Sequence, residues 1–256
     1  MSRFTFRGWR VSRFIFVALL LTLACSRAAH ADTWSPGQML TYSQPDWHNN
    51  AGAAGFLLVD NFGTVYSSNG GVAEIGAPGA SITFDSAPAI QNYLPASGPV
   101  GTLTASLFDP TDSPSGVFGG DVLALQLDVD FADAGLLEGS LGLRFGDLQL
   151  YDTYACLPDG TSVRDLLAEA NTALGGGSTP CSIDDLDVIA LSLTIAFNSG
   201  VPSTFAQDSL VAPGGTSGGG GTNVPEPSSV LLLGVGLLGL GIFQYRRRAS
   251  VSSMAA

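Results

Sequence analysis

Lysine is absent from the chain, and arginine is nearly absent from its middle. Of ten arginines, five lie at or before Arg27, three are Arg246, Arg247 and Arg248, and only Arg144 and Arg164 stand between. All 22 carboxylates fall between Asp32 and Glu226, so that stretch sets two cations against 22 anions, a formal charge of −20. Phosphate binding needs clustered Lys and Arg, which excludes nucleic acid as a partner. Charge of one sign has a simpler consequence: it keeps the molecule soluble and holds copies apart.

Histidine is as scarce. Only His30 and His48 occur, and His48, in QPDWHNN, reads as a loop residue beside Trp47. A Ser-His-Asp or Cys-His arrangement would have to use it, and no G-x-S-x-G elbow is present. The expectation is a protein that is not an enzyme and needs no cofactor. A carboxylate pair for glycoside hydrolysis asks only for two acids at the right separation, which spacing in sequence does not give. A secreted polysaccharide-acting hydrolase is therefore the alternative.

The third scarcity is cysteine, with Cys25, Cys156 and Cys181 alone. Residues 1–31 have the pattern of an export signal: Arg3, Arg7, Arg10 and Arg13, then the apolar run FIFVALLLTLA, then Ala29-His30-Ala31 as a small-x-small site for signal peptidase. The run is too short for a stable span. Cys25 would suit a lipoprotein signal, but Thr22 stands where a branched aliphatic is usual. Arg7 and Arg10 are not adjacent, which argues against twin-arginine export, so general secretion is expected. Cleavage after Ala31 leaves Cys156 and Cys181, and an isolated pair in an oxidising compartment is most simply a disulfide. Closing that loop would contribute about 3 kcal/mol.

The secreted body, about 32–210, reads as α+β. Between 38 and 110, QMLTYS, AGFLLVD, GTVYSS, SITFD and VGTLTASLF cluster β-formers between breakers, predicting a β-rich N-terminal half. Residues 119–210 read as mixed, a helix-containing, disulfide-stapled C-terminal half. Ser162 and Asp165 make a capping-box start, Val163, Leu166, Leu167, Ala170 and Leu174 share one helical face, and Gly175 supplies the stop. Ser182 and Asp185 open a second such segment, in which Leu186, Ile189, Ala190, Leu193 and Phe197 keep helical spacing. There Leu191, Leu193, Ile195 and Phe197 also alternate as a strand would; the start signal favours helix, with strand as the alternative. VLALQLDVDF (122–131) and VIALSLTIAF (188–197) echo one another and should adopt the same state.

Dense carboxylates raise the question of calcium. Asp128 with Asp130, and Asp184 with Asp187, are weak candidates, since neither group has the spacing of an EF-hand loop. No other metal is indicated. Two further motifs are coincidental. Gly234-Val235-Gly236-Leu237-Leu238-Gly239 matches a dinucleotide fingerprint but lacks a following acidic residue. Leu94-Pro95-Ala96-Ser97-Gly98 resembles a sortase pentapeptide but lies inside the body and reads as a turn.

Residues 211–223 hold Gly, Ser, Thr and Pro without apolar periodicity, a flexible linker. Val224-Pro225-Glu226-Pro227 follows, and then Ser228 to Tyr245 carries no charge. As a helix that stretch would reach about 27 Å, against about 30 Å of hydrocarbon, so one C-terminal transmembrane helix is expected over 228–245. Arg246, Arg247 and Arg248 would stay cytoplasmic as a stop. The prolines flanking Glu226 keep the backbone extended and accessible.

In this order of motif, span and basic end, residues 224–248 resemble the PEP-CTERM sorting signal of Gram-negative bacteria. The resemblance implies Pro225, Glu226 and Pro227 as a recognition motif, an exosortase-type membrane protease as the processing partner, and exopolysaccharide or biofilm as the setting. It implies transient residence in the inner membrane, then release to the outer envelope surface or extracellular matrix; a bitopic protein that retains its tail is the other outcome. GVFGGDVLALQLDVDFADAG, SVRDLLAEANTALGGGSTP and SIDDLDVIALSL are similar to a module of other surface proteins of this kind, which adds no mechanism.

Overall fold

The computed structural model describes residues 34–213, except Pro78 and Glu138. The export signal, residues 214–223 of the linker, the Pro225–Pro227 motif, the expected span and Arg246–Arg248 lie outside the described residues.

Short helices and short strands alternate along the chain. Helices α1 (Gln44–His48) and α2 (Ala53–Val65) come first, with a 3-10 turn at Ser67–Asn69 after them. Strands β1 (Ala73–Ala77) and β2 (Ala80–Phe84) form a hairpin, α3 (Ala87–Tyr93) follows, and β3 (Leu107–Phe108) adds to β2 in parallel, Ile82 opposite Leu107. The long α4 (Val117–Asp133) leads to a 3-10 turn at Phe145–Asp147 and β4 (Gln149–Leu150). Then come β5 (Thr161–Ser162), α5 (Val163–Leu174), α6 (Ile183–Thr194), α7 (Thr204–Ser209) and β6 (Leu210–Val211). β4 pairs antiparallel with both β5 and β6.

The expectation of a β-rich stretch over 38–110 is corrected: helix outweighs strand there. AGFLLVD is helical, within α2. Ala54, Leu58 and Phe62 stand four apart and are buried on one face, and burying that face outweighs the β-preference of Phe and Val. Of the other proposed strands, SITFD lies in β2 as far as Phe84, VGTLTASLF contributes only Leu107–Phe108, and QMLTYS only a bridge from Thr41 to Asn198. The linker expected from Val211 also starts too early, because Val211 is buried in β6.

α4 is the axis of the core. Thirteen of its 17 residues are buried, around its whole circumference. It packs against α1, α5, α6 and the turn at Phe145–Asp147. A helix enclosed on every side needs no polar face. Gly120 permits the approach of α1, since a Cβ there would strike the Gln44 side chain.

α5 and α6 begin as their capping residues dictate. The Ser162 hydroxyl accepts from the Asp165 N–H at 3.0 Å, and the Ser182 hydroxyl from that of Asp185 at 3.2 Å. On α6, Leu186, Ile189, Ala190 and Leu193 are buried, while Leu191 is 43% and Ile195, just past its end, 41% exposed, so the period is helical and not that of a strand. The helix ends at Thr194, and Phe197 enters the core from the turn beyond it. Both echo segments are thus helical, the second losing its last three residues to that turn. Gly175 ends α5 against the β-hairpin, where a Cβ would lie 2.6 Å from the Ala77 nitrogen.

Cys156 and Cys181 form a disulfide with Cα atoms 5.1 Å apart, joining the approach to α5 to the start of α6. The two ends of the described chain also meet: the Trp34 indole donates to the Leu210 carbonyl at 2.8 Å, and Gln207 Nε2 donates to the Trp34 carbonyl at 2.7 Å. Among the described residues no helix is long and apolar enough to cross a membrane.

Candidate functional site

The chemistry of the body gathers along α4, whose inner surface carries carboxylates. Asp121 and Asp128 are one heptad apart, hence on one face, and both anchor the segment leading into α1. Asp128 Oδ1 accepts from the Tyr42 N–H at 2.9 Å, and Asp121 Oδ1 accepts from Gln44 Nε2 at 2.6 Å. Gln44 Oε1 in turn accepts from the Ala96 N–H at 2.9 Å. Burial drives Asp128 well above the usual carboxylate range, against the pull of the Tyr42 N–H.

Asp121 also faces Asp187 of α6. Burial pushes Asp121 up to about 7, with the Gln44 hydrogen bond opposing and the neighbouring Asp187 adding to the rise. Asp187 is itself raised, by burial first. Asp121 Oδ2 and Asp187 Oδ1 are buried and receive no hydrogen bond from any N–H or hydroxyl, the condition under which two carboxyls hold one proton between them.

Two residues beyond Asp128, Asp130 turns to another side of α4 and into a surface cleft of about 390 Å³. Four elements supply its walls: Tyr66 caps the end of α2, Asn69 comes from the 3-10 turn, Glu74 from β1, and Gln126, Asp130 and Asp133 from α4. Asp130 is oriented by a directional chain. The Gly76 N–H donates to Asn171 Oδ1 (2.7 Å), Asn171 Nδ2 to Gln126 Oε1 (3.3 Å), and Gln126 Nε2 to Asp130 Oδ1 (2.8 Å). Burial raises Asp130, with the Tyr66 hydroxyl and Gln126 pulling the other way. Tyr66 is 5% exposed, and its phenol is pushed well above its ordinary value by burial and then by Asp130. The Tyr66 hydroxyl is sealed from solvent with Asp130 as its polar neighbour.

Asp133, at the rim, is held by Arg164, with Nη1 to Oδ2 at 2.7 Å and Nη2 to Oδ1 at 2.9 Å; Nη2 also reaches Asp147 at 3.2 Å. These pairs hold the guanidinium's proton more tightly than usual. The side chain is 43% exposed, so the pairs position the start of α5 more than they stabilise the fold.

The four calcium candidates are thereby separated. Asp128 is sealed against Tyr42, Asp130 faces the cleft, Asp184 is exposed in the first turn of α6, and Asp187 faces Asp121. Among the described residues no three His, Cys, Asp or Glu side chains are grouped to hold a metal. His48 ends α1 rather than lying in a loop, its Nδ1 2.7 Å from the Gln91 carbonyl, at a polar cleft shared with Asn49 and Asn92.

Sequence reasoning missed the pairing of Tyr66 with Asp130 and of Asp121 with Asp187. A buried helix with acids at 121, 128 and 130 is the signal that could have found them, since each acid then needs a partner from another element.

No curated protein and no solved structure matches the chain. Residues 223–248 match the family model described as the PEP-CTERM protein-sorting motif, a stretch that holds Pro225, Glu226, Pro227 and Arg246 to Arg248. Residues 223–248 thus carry a PEP-CTERM protein-sorting motif, which implies export of the chain and its sorting to the cell envelope by an exosortase.

Proposed function

We propose that the acidic body is a structural or interaction component of an exopolysaccharide or biofilm matrix, acting by binding and not by turnover. The sorting motif at 223–248 carries this reading, because it gives the body an address and a means of release. Signal peptidase removes residues 1–31. The 228–245 segment then halts in the inner membrane with Arg246 to Arg248 on the cytoplasmic side, since moving three guanidinium groups across hydrocarbon is costly. Exosortase cuts near Pro225-Glu226-Pro227 and passes the body to the outer surface. The disulfide suits an oxidising destination.

Mass mapping of the C-terminus of envelope-associated protein, with and without exosortase, tests the route. The mature form should lack Arg246 to Arg248 only where the protease is present, and the same preparation should release no reducing ends from the native exopolysaccharide. Mature protein that keeps those arginines would establish a bitopic protein instead. Release of reducing ends would establish the hydrolase, for which Asp130 and Glu74 sharing one cleft are the specific grounds.

A further inference from the structure

We propose that α6 is an acid-closed flap on α4: the proton that Asp121 and Asp187 share holds its first half down, and loss of that proton lets this half lift into water.

Three observations carry it. The two carboxyls meet inside the contact between the helices, where Asp121 Oδ2 and Asp187 Oδ1 are buried and accept from no N–H or hydroxyl. Asp121 cannot turn away, because Gln44 Nε2 holds its other oxygen at 2.6 Å and α4 is enclosed all round. Next, α6 is the side that can move: Val188 and Leu191 leave its outer face open to water, and Asp187 is only half-buried. Finally, α6 is tied at both ends. Just before it, Cys181 is bridged to Cys156 and its N–H donates to Glu169 Oε1 at 3.0 Å. Beyond it, the Phe197 N–H donates to Thr41 Oγ1 at 3.0 Å, and the Phe197 carbonyl accepts from the Thr41 N–H at 3.2 Å. A segment tied in this way can open and return while the rest of the body stays folded.

With one proton the pair carries a single charge, and an O–H to carboxylate hydrogen bond closes the contact. Without it, two carboxylates face each other where water cannot screen them. Among the described residues, the charged groups that act on the pair are its own members and Asp184, in the first turn of α6, whereas α1 presents only the neutral Gln44 amide. Burial, with Asp187 adding, places the second ionisation at about 7. In the lifted state both acids are wet and ionise near the ordinary 3.8. Opening therefore gains on closure as pH rises from about 4 to 7 and is constant beyond, while acid restores the closed form.

The test is amide hydrogen exchange of the full chain in mild detergent at pH 5 and pH 8, corrected for the intrinsic rise of exchange with pH. Protection of residues 187–190 should fall about tenfold or more between the two. At pH 8 it should lie at least about tenfold below that of residues 167–170 in α5 and depend little on added urea, the signature of a local opening. Asp121→Asn should remove the fall, since its amide donates to Asp187 at any pH. Asp187→Asn, at a half-buried position, should do the same from the other side and guards against a first variant that fails to fold, which circular dichroism at pH 5 reports. Equal protection at the two pH values, a fall that persists in both folded variants, or matching protection and urea slopes for α5 and α6 at pH 8 would overturn the proposal. So would protection regained at pH 8 on adding calcium, which would assign the pair to a cation.

Discussion

At the scale of single residues, Asp121 and Asp187 make a quantitative statement about acidity. Asp121 is 1% exposed and stands against a second carboxyl, so both cannot ionise without a penalty neither the Gln44 amide nor solvent can relieve. With its folded pKa near 7 and its unfolded value near the ordinary 3.8, the native state holds a proton that the unfolded chain has released across that interval. Stability from this pair is thus full below about pH 4, is lost as pH rises from there through 7, and is flat beyond. Asp128 and Asp130, also raised, act in the same direction. Asp121→Asn should raise Tm at pH 8, leave it little changed at pH 5, and shallow the decline between them. The new amide can still accept from Gln44 and can donate to Asp187, replacing the shared proton with a permanent one. Thermal unfolding followed by circular dichroism at the two pH values decides it; an equal loss of Tm at both would mean the site depends on the acid for packing instead.

At the scale of elements, the disulfide and its two flanking helices form one unit. The bridge spans a sequence separation of 25 around α5 and anchors that loop just before the N-cap of α6. On loop entropy alone, Cys156→Ser with Cys181→Ser should cost about 3 kcal/mol, read as a lower urea midpoint at unchanged slope. Reductant should lower the wild type to the same midpoint and leave the variant unmoved. If the two midpoints already coincide without reductant, the bridge contributes nothing.

This unit was legible because its signals are local. Ser162 and Ser182 three residues before an aspartate mark starts, Gly175 marks a stop, and α5 shows a one-sided apolar stripe. α4 offered no such stripe: it is buried all round, so its apolar residues recur at every phase and periodicity carries no information about its state. α2 misled for the opposite reason, because a seven-residue window of Phe, Leu and Val looks like a strand until Ala54, Leu58 and Phe62 are read together. The acids themselves were visible, but their partners lie far off in sequence. Tyr66 meets Asp130 and Asp187 meets Asp121 only through tertiary packing, and no spacing rule reaches that distance.

At the scale of the whole molecule, charge is sorted by destination. The 22 carboxylates, all but Glu226 in the body, stay clear of both ends, while all cations outside Arg144 and Arg164 sit in the first 27 residues or in Arg246 to Arg248. Anions are poorly hindered from export, whereas three guanidinium groups behind an uncharged run of 18 residues oppose transfer by several kcal/mol in sum, about 2.5–3.5 kcal/mol for each one brought to mid-bilayer. The sorting motif needs that arrest, since a protease in the membrane can act only on cargo that pauses there. A soluble reporter given an export signal and residues 224–256 should therefore pellet with membranes after a carbonate wash in cells lacking exosortase. Replacing Arg246, Arg247 and Arg248 by alanine should move part of it to the soluble periplasmic fraction, because the run still favours lipid but no longer has a charged end to hold it. A reporter found in the aqueous fraction with its arginines intact would show that the tail supplies no pause, and sorting would then have to begin with recognition of the folded body.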